Sequence, residues 1–261
     1  QVVPAEPLHL VCPGDHQFHE IVYLLHALAH VYVGIFLFDD MTMLDGYAPL
    51  QILSFVESFE AFTVARSRAP LRADCGALLT PDHDFDSCPP LDILVVPGGG
   101  NVLPPMTDAA TLDFLRRAAG TARYVTSVCS GALILAEAGL LEGYRATTHW
   151  AYLGQLAAYP GVEVVDQRVV VDCDRVSGGG VTAGIDFALT LIAEAVDAGT
   201  AQALQLLFEY RPQPPFDAGS PASAPAAVRQ AVEARVAQVT APLDAHLARK
   251  GLYPQRSSAA G

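Results

Sequence analysis

The residue with the plainest chemistry in this chain is Cys129, in the stretch Tyr124-Val125-Thr126-Ser127-Val128-Cys129-Ser130-Gly131-Ala132-Leu133-Ile134-Leu135-Ala136. The residues before it read as a buried parallel strand. Those after it are small and aliphatic and read as a helix. With no loop between, Cys129 falls on a sharp turn over the strand ends, a nucleophile elbow carrying a thiol. The free N–H groups of the following helix favour negative charge. They predict a lowered thiol pKa and available thiolate near neutrality. Gly131 permits close backbone approach. A cysteine here can equally be a packed apolar side chain, so its neighbours must decide.

Two other groups meet it at strand ends. Asp45, in Met41-Thr42-Met43-Leu44-Asp45-Gly46, comes after an apolar run and leads into a helix. It can be a helix N-cap, or a carboxyl placed to move protons. Gly98-Gly99-Gly100-Asn101 closes the run Leu91 to Pro97. Unhindered N–H groups there can face a developing oxyanion, or the run can be an ordinary tight loop. No GK[ST] comes after it, and G-x-G-x-x-G is absent, so the loop is not a nucleotide motif. His149 reads as a structural histidine at a helix start.

The elements that must position these groups alternate. Strands are expected over 31–38, 60–66, 91–97 and 124–128, with short ones at 144–148, 162–165 and 168–171. Helices are expected from Asp45 to about Glu57, from Asp108 to Ala119 with Thr107 as cap, after Cys129, from His149 to Tyr159, and over 181–198 and 200–209. Leu71 to Thr80 reads as a hairpin with Asp74-Cys75-Gly76 at its turn. This is a doubly wound α/β sandwich with a mostly parallel sheet, whose strand ends line one crevice. Beyond it lie a proline-rich tail over 211–225 and a last helix over 226–249, kinked or split at Pro242. Residues 1–30 form an extension of unknown role, with Cys12, His16, His19, His26 and His30 but no metal-ligand spacing of a known kind. Ser257 to Gly261 are expected to fray.

Composition sets limits. A net charge of −13 argues against a nucleic-acid partner. No apolar run reaches the ~18–20 residues of a membrane span. Five cysteines without CxxC spacing argue against a disulfide framework or a zinc site, and suit a reducing cytoplasm. No cofactor or metal is called for.

In order along the chain, Leu44-Asp45-Gly46, Leu91 to Gly99, the Cys129 stretch, Thr147-Thr148-His149-Trp150 and Gly178-Gly179-Gly180-Val181-Thr182-Ala183-Gly184-Ile185-Asp186 form a pattern. It resembles the PfpI/ThiJ superfamily, with its class I glutamine amidotransferase-like fold, and most of all its bacterial isocyanide hydratases. The resemblance runs over about residues 31–220, including Phe216 to Pro221. It implies a flavodoxin-like three-layer α/β/α sandwich, a homodimer, a small-molecule isocyanide as substrate, and hydration to an N-substituted formamide. It implies Cys129 as nucleophile, Asp45 as proton shuttle, Ser130 as a hydroxyl where the hydratases commonly carry threonine, and Gly98, Gly99 and the Ser130 amide as backbone donors. The resemblance also makes His149 a candidate auxiliary catalytic group, since its region approaches the cysteine in some relatives, and the helix over 181–198 is a candidate for the dimer interface.

The pattern departs from other branches. Peptidase-like and deglycase-like members carry Glu in place of Asp45, and the peptidase-like ones carry His in place of Ser130. Three other functions compete: a deglycase or glyoxalase-like enzyme, the sensing domain of an AraC-type regulator, and a non-catalytic thiol sensor. A regulator needs about 100 further residues for two helix-turn-helix units, twice the length of chain beyond Tyr210.

Overall fold

The computed structural model describes residues 30–252. The N-terminal cysteine–histidine segment, His30 apart, and the expected fraying at the C-terminus lie outside them. Strands are β1 (Val31–Phe36), β2 (Phe59–Ala65), β3 (Leu71–Arg72), β4 (Leu78–Leu79), β5 (His83–Asp84), β6 (Ile93–Val96), β7 (Tyr124–Val128), β8 (Arg145–Ala146), β9 (Glu163–Val164), β10 (Val169–Asp172) and β11 (Arg175–Gly178). Helices are α1 (Met43–Leu53), α2 (Leu103–Thr107), α3 (Ala109–Ala119), α4 (Gly131–Glu137), α5 (Leu153–Leu156), α6 (Ala183–Ala195), α7 (Ala198–Leu207) and α8 (Ala226–Arg249). Among the described residues, no helix is long and apolar enough to cross a membrane.

A seven-stranded sheet runs β10-β11-β7-β6-β1-β2-β5, with every pair parallel except β10–β11. Every residue of β6 and β7 is buried. Helices on both faces cover a central parallel strand, so its sequence shows no polar alternation. The register pairs Val96 with Ser127 and Gly178 with Val128. The glycine loops after β6 and β11 therefore flank the end of β7. The expected sandwich is the observed one, and β3–β4 is the expected hairpin.

Three local expectations are corrected. Asp108, not Thr107, caps α3, accepting from the Thr111 N–H at 3.0 Å. Thr107 belongs to α2, where its hydroxyl donates to the Leu103 carbonyl. Pro242 does not split the last helix, since α8 is continuous across it. Pro242 and Gln238, whose carbonyl loses its donor, both face solvent, while Thr240, Leu243 and Leu247 are buried and hold that part of α8. Gln155 donates to Asp244 at 2.8 Å, and Lys250 pairs with Glu137 at 2.5 Å. Cys173, at the β10–β11 turn, is disulfide-bonded, where reduced thiols were expected. Cys75, Cys88 and Cys129 are free.

Candidate active site

Cys129 lies between the end of β7 and the start of α4, with φ of 59°. That left-handed conformation costs a side-chain-bearing residue about 1–2 kcal/mol, so the surroundings must enforce it. Its N–H is shared by the carbonyls of Gly178 and Gly179 at 3.0 and 2.9 Å. Its carbonyl accepts from the Thr148 hydroxyl at 2.8 Å. The chain after β6 presses against the turn from the other side. A Cβ on Gly131 would sit 2.0 Å from the Val96 carbonyl oxygen, and one on Gly98 would sit 2.5 Å from the Ser130 nitrogen. Gly131→Ala should therefore destabilise the protein by more than about 3 kcal/mol, read as a lowered denaturation midpoint or loss of soluble protein. A variant within about 1 kcal/mol of the parent would show that the turn is not packed in this way.

Asp45 is inside α1 rather than at its cap. The N-cap is Thr42, and its side chain makes no capping bond. The Asp74 carboxylate instead accepts from the Met43 N–H at 3.2 Å, a role for the hairpin turn that the sequence did not announce. Asp45 is fully buried. Its Oδ2 accepts from the Gly98 N–H at 3.1 Å. Apart from the Cys129 thiol, which lies against the carboxyl, Oδ1 has no partner among the described residues. Burial raises the Asp45 carboxyl, outweighs the hydrogen bonds from Cys129 and Gly98, and carries its pKa to about 7.

The expected low-pKa thiol is not what this geometry gives. Burial pushes the Cys129 thiol well above its ordinary value, and the neighbouring Asp45 carboxylate adds to that push. The Ser130 amide and hydroxyl oppose it without prevailing. The elbow is buried rather than held out in solvent, so desolvation exceeds what one helix start supplies.

The amides expected to face developing charge are engaged. The Gly98 N–H holds Asp45, and the Gly99 N–H donates to Ser130 Oγ at 2.9 Å. Ser130 Oγ in turn donates to the Gly99 carbonyl at 2.7 Å. Ser130 thus staples the glycine loop to the elbow, while its own N–H is directed at the sulfur. His149 Nδ1 accepts from the Ala151 N–H at 3.2 Å and starts the turn Trp150–Tyr152. Burial lowers its pKa, which leaves the ring neutral.

Cys129 and His149 open on one pocket of about 200 Å³, whose walls include Thr42, Gly99, Gly100, Tyr152 and Val181. Asp45 does not line it. The pocket's remaining wall was missed in the sequence: Val232, Arg235, Val236 and Val239 of α8. The available signal was the spacing of Val228, Val232, Val236, Val239, Leu243 and Leu247, one helical stripe of which only the last two are buried in the body. A larger cleft of about 400 Å³ lies at the ends of β1 and β2, lined by Phe38, Asp40 and the ion-paired Arg66 and Asp108. None of the candidate catalytic side chains borders it.

A strand-to-helix cysteine at the strand ends of a mostly parallel sheet defines a class, and the chain belongs to it: the DJ-1/PfpI family model matches residues 31–194. Over 205 residues the chain is 48% identical to the isonitrile hydratase of Pseudomonas putida, covering 78% of this chain and 90% of that one. The crystal structure of a ThiJ/PfpI family protein from Pseudomonas syringae superposes with a TM-score of 0.80 at 37% identity, covering 91% of this chain and 97% of the other. An HTH-type transcriptional regulator of Pseudomonas aeruginosa, GbdR, is 30% identical over 185 residues, but this chain covers only 50% of its length.

Proposed function

We propose that the protein is an isocyanide hydratase, converting an isonitrile and water into an N-substituted formamide. The observation that carries this reading is the buried pairing of the Cys129 thiol with a carboxyl that titrates near neutrality. The similarity to the Pseudomonas putida isonitrile hydratase supports the choice of substrate class. Cys129 is the nucleophile, Asp45 the proton carrier and Ser130 the residue that fixes the loop carrying Gly98 and Gly99.

Atoms and charge balance at each step. Ionised Asp45 takes the thiol proton as Sγ adds to the terminal isocyanide carbon. The protonated carboxyl then gives that proton to the same carbon, leaving a thioimidate, R–N=CH–S–Cys129. A carboxyl that touched the thiol is within reach of a carbon bonded to its sulfur. Water next attacks the thioimidate carbon, Asp45 passing the water proton to nitrogen. The C–S bond breaks, the new C–O bond becomes the formamide carbonyl, and the hydroxyl proton returns through Asp45 to the sulfur. Neutral His149 adds no charge beside the sulfur. The cycle needs Cys129 as a thiol, and Cys129 is free. A homodimer fits the exposed apolar Leu206 and Leu207 of α7.

The test is turnover. Purified protein with an alkyl and an aryl isocyanide should show loss of the isonitrile stretch and appearance of the formamide proton by NMR. Absence of formamide with both compounds would overturn the hydratase reading.

A further inference from the structure

The pocket wall supplied by α8 carries one charge. Among the described residues, Arg235 is the only charged side chain around the cavity; its other side-chain walls are aliphatic, aromatic, thiol, hydroxyl or neutral imidazole. The guanidinium has no ion-pair partner among the described residues. The nearby Glu233 pairs with Arg229 at 3.7 Å, and the positions three and four residues from Arg235 are Ala231, Val232, Gln238 and Val239. In a chain of net charge −13, an uncommitted arginine beside a nucleophile's pocket stands out from the overall field.

We infer that Arg235 selects the substituent of the substrate, and that the pocket is built for isocyanides whose R group ends in a carboxylate. This rests on the hydratase reading and adds the substrate class to it. The isonitrile carbon must lie at Cys129. The substituent fills the rest of the pocket, whose lining includes Val181, Val236 and Val239, so an alkyl spacer gains by leaving water. A guanidinium is permanently charged and offers paired N–H donors that match a carboxylate. A neutral alkyl terminus gains nothing from it, and a cationic terminus is repelled. Because the arginine is exposed, the discrimination is moderate and salt-sensitive.

The measurement is kcat/KM for 5-isocyanopentanoate beside n-hexyl isocyanide, a neutral compound of similar length. The parent protein should favour the carboxylate by about five- to tenfold, mainly through KM, and lose most of that preference in 0.5 M salt. Arg235→Gln should bring the ratio of the two kcat/KM values to about one, Arg235→Glu should invert it, and Arg235→Lys should keep part of it. Turnover of both compounds with no carboxylate preference, or a preference that Arg235→Gln leaves intact, overturns the inference while the hydratase reading stands. Failure to hydrate either compound overturns the hydratase reading and this inference with it.

Discussion

Cys129→Ala should lower kcat for isocyanide hydration by at least about 10⁴-fold while leaving the protein folded. The size reflects the covalent step. Without Sγ there is no thioimidate, and the polar groups nearest the elbow are engaged elsewhere: His149 accepts at Nδ1, the Tyr152 hydroxyl donates to the Gly100 carbonyl, and Ser130 Oγ is held by both groups of Gly99. Cys129→Ser should fare little better, since a hydroxyl is a far weaker acid than a thiol and Asp45 is too weak a base to ionise it. The folding cost is small because alanine keeps the Cβ and the backbone bonds to Gly178, Gly179 and Thr148. The intermediate has its own signature. Addition to the isocyanide carbon expels nothing, so acid-quenched parent protein should carry an adduct equal to the intact isocyanide mass on the Cys129 peptide. A Cys129→Ala protein that keeps a tenth of parental activity would sink the covalent mechanism.

The frame and the Cys129–Asp45 pairing were legible in the sequence for a physical reason. A central parallel strand is continuous in hydrophobicity, as Ile93-Leu94-Val95-Val96 is in β6, where all four residues are buried. The strand-to-helix junction at Cys129 leaves no room for a loop. Asp45 was legible as a carboxyl at a strand end, because only a few polar residues fall in such places. The hidden features depend on distance in space. The engagement of the Gly98 and Gly99 amides needs the approach of Asp45 and Ser130 from two other segments. The thiol's raised pKa needs the depth of burial, which a strand-to-helix pattern does not report. The α8 wall was hidden because its valines lie about 100 residues beyond Cys129 along the chain, past a proline-rich segment without regular structure.

Asp45→Asn should separate activity from stability in opposite directions. In the proposed cycle, hydration needs the ionised carboxyl to accept the thiol proton. With a pKa of about 7, kcat/KM of the parent should fall about tenfold per pH unit below neutrality. Asparagine cannot carry the proton, so the variant should lose about 10²- to 10⁴-fold at pH 8 and show no such limb. Stability moves the other way. The folded-state pKa lies above the ordinary 3.8, so the folded protein binds the proton more tightly than the unfolded chain. The stabilisation from that proton is complete below about pH 3.8 and is lost as pH rises through about 7. Across that gap the loss is about 4 kcal/mol at most. Asparagine keeps a carbonyl for the Gly98 N–H and has no charge to bury. The variant should therefore unfold several degrees higher than the parent at pH 8, with the difference shrinking to little by pH 4. Thermal melts across that range decide it. Equal melting temperatures at pH 8 would mean that Asp45 is not held as a strained carboxylate, and full activity in the variant would remove it from the proton path.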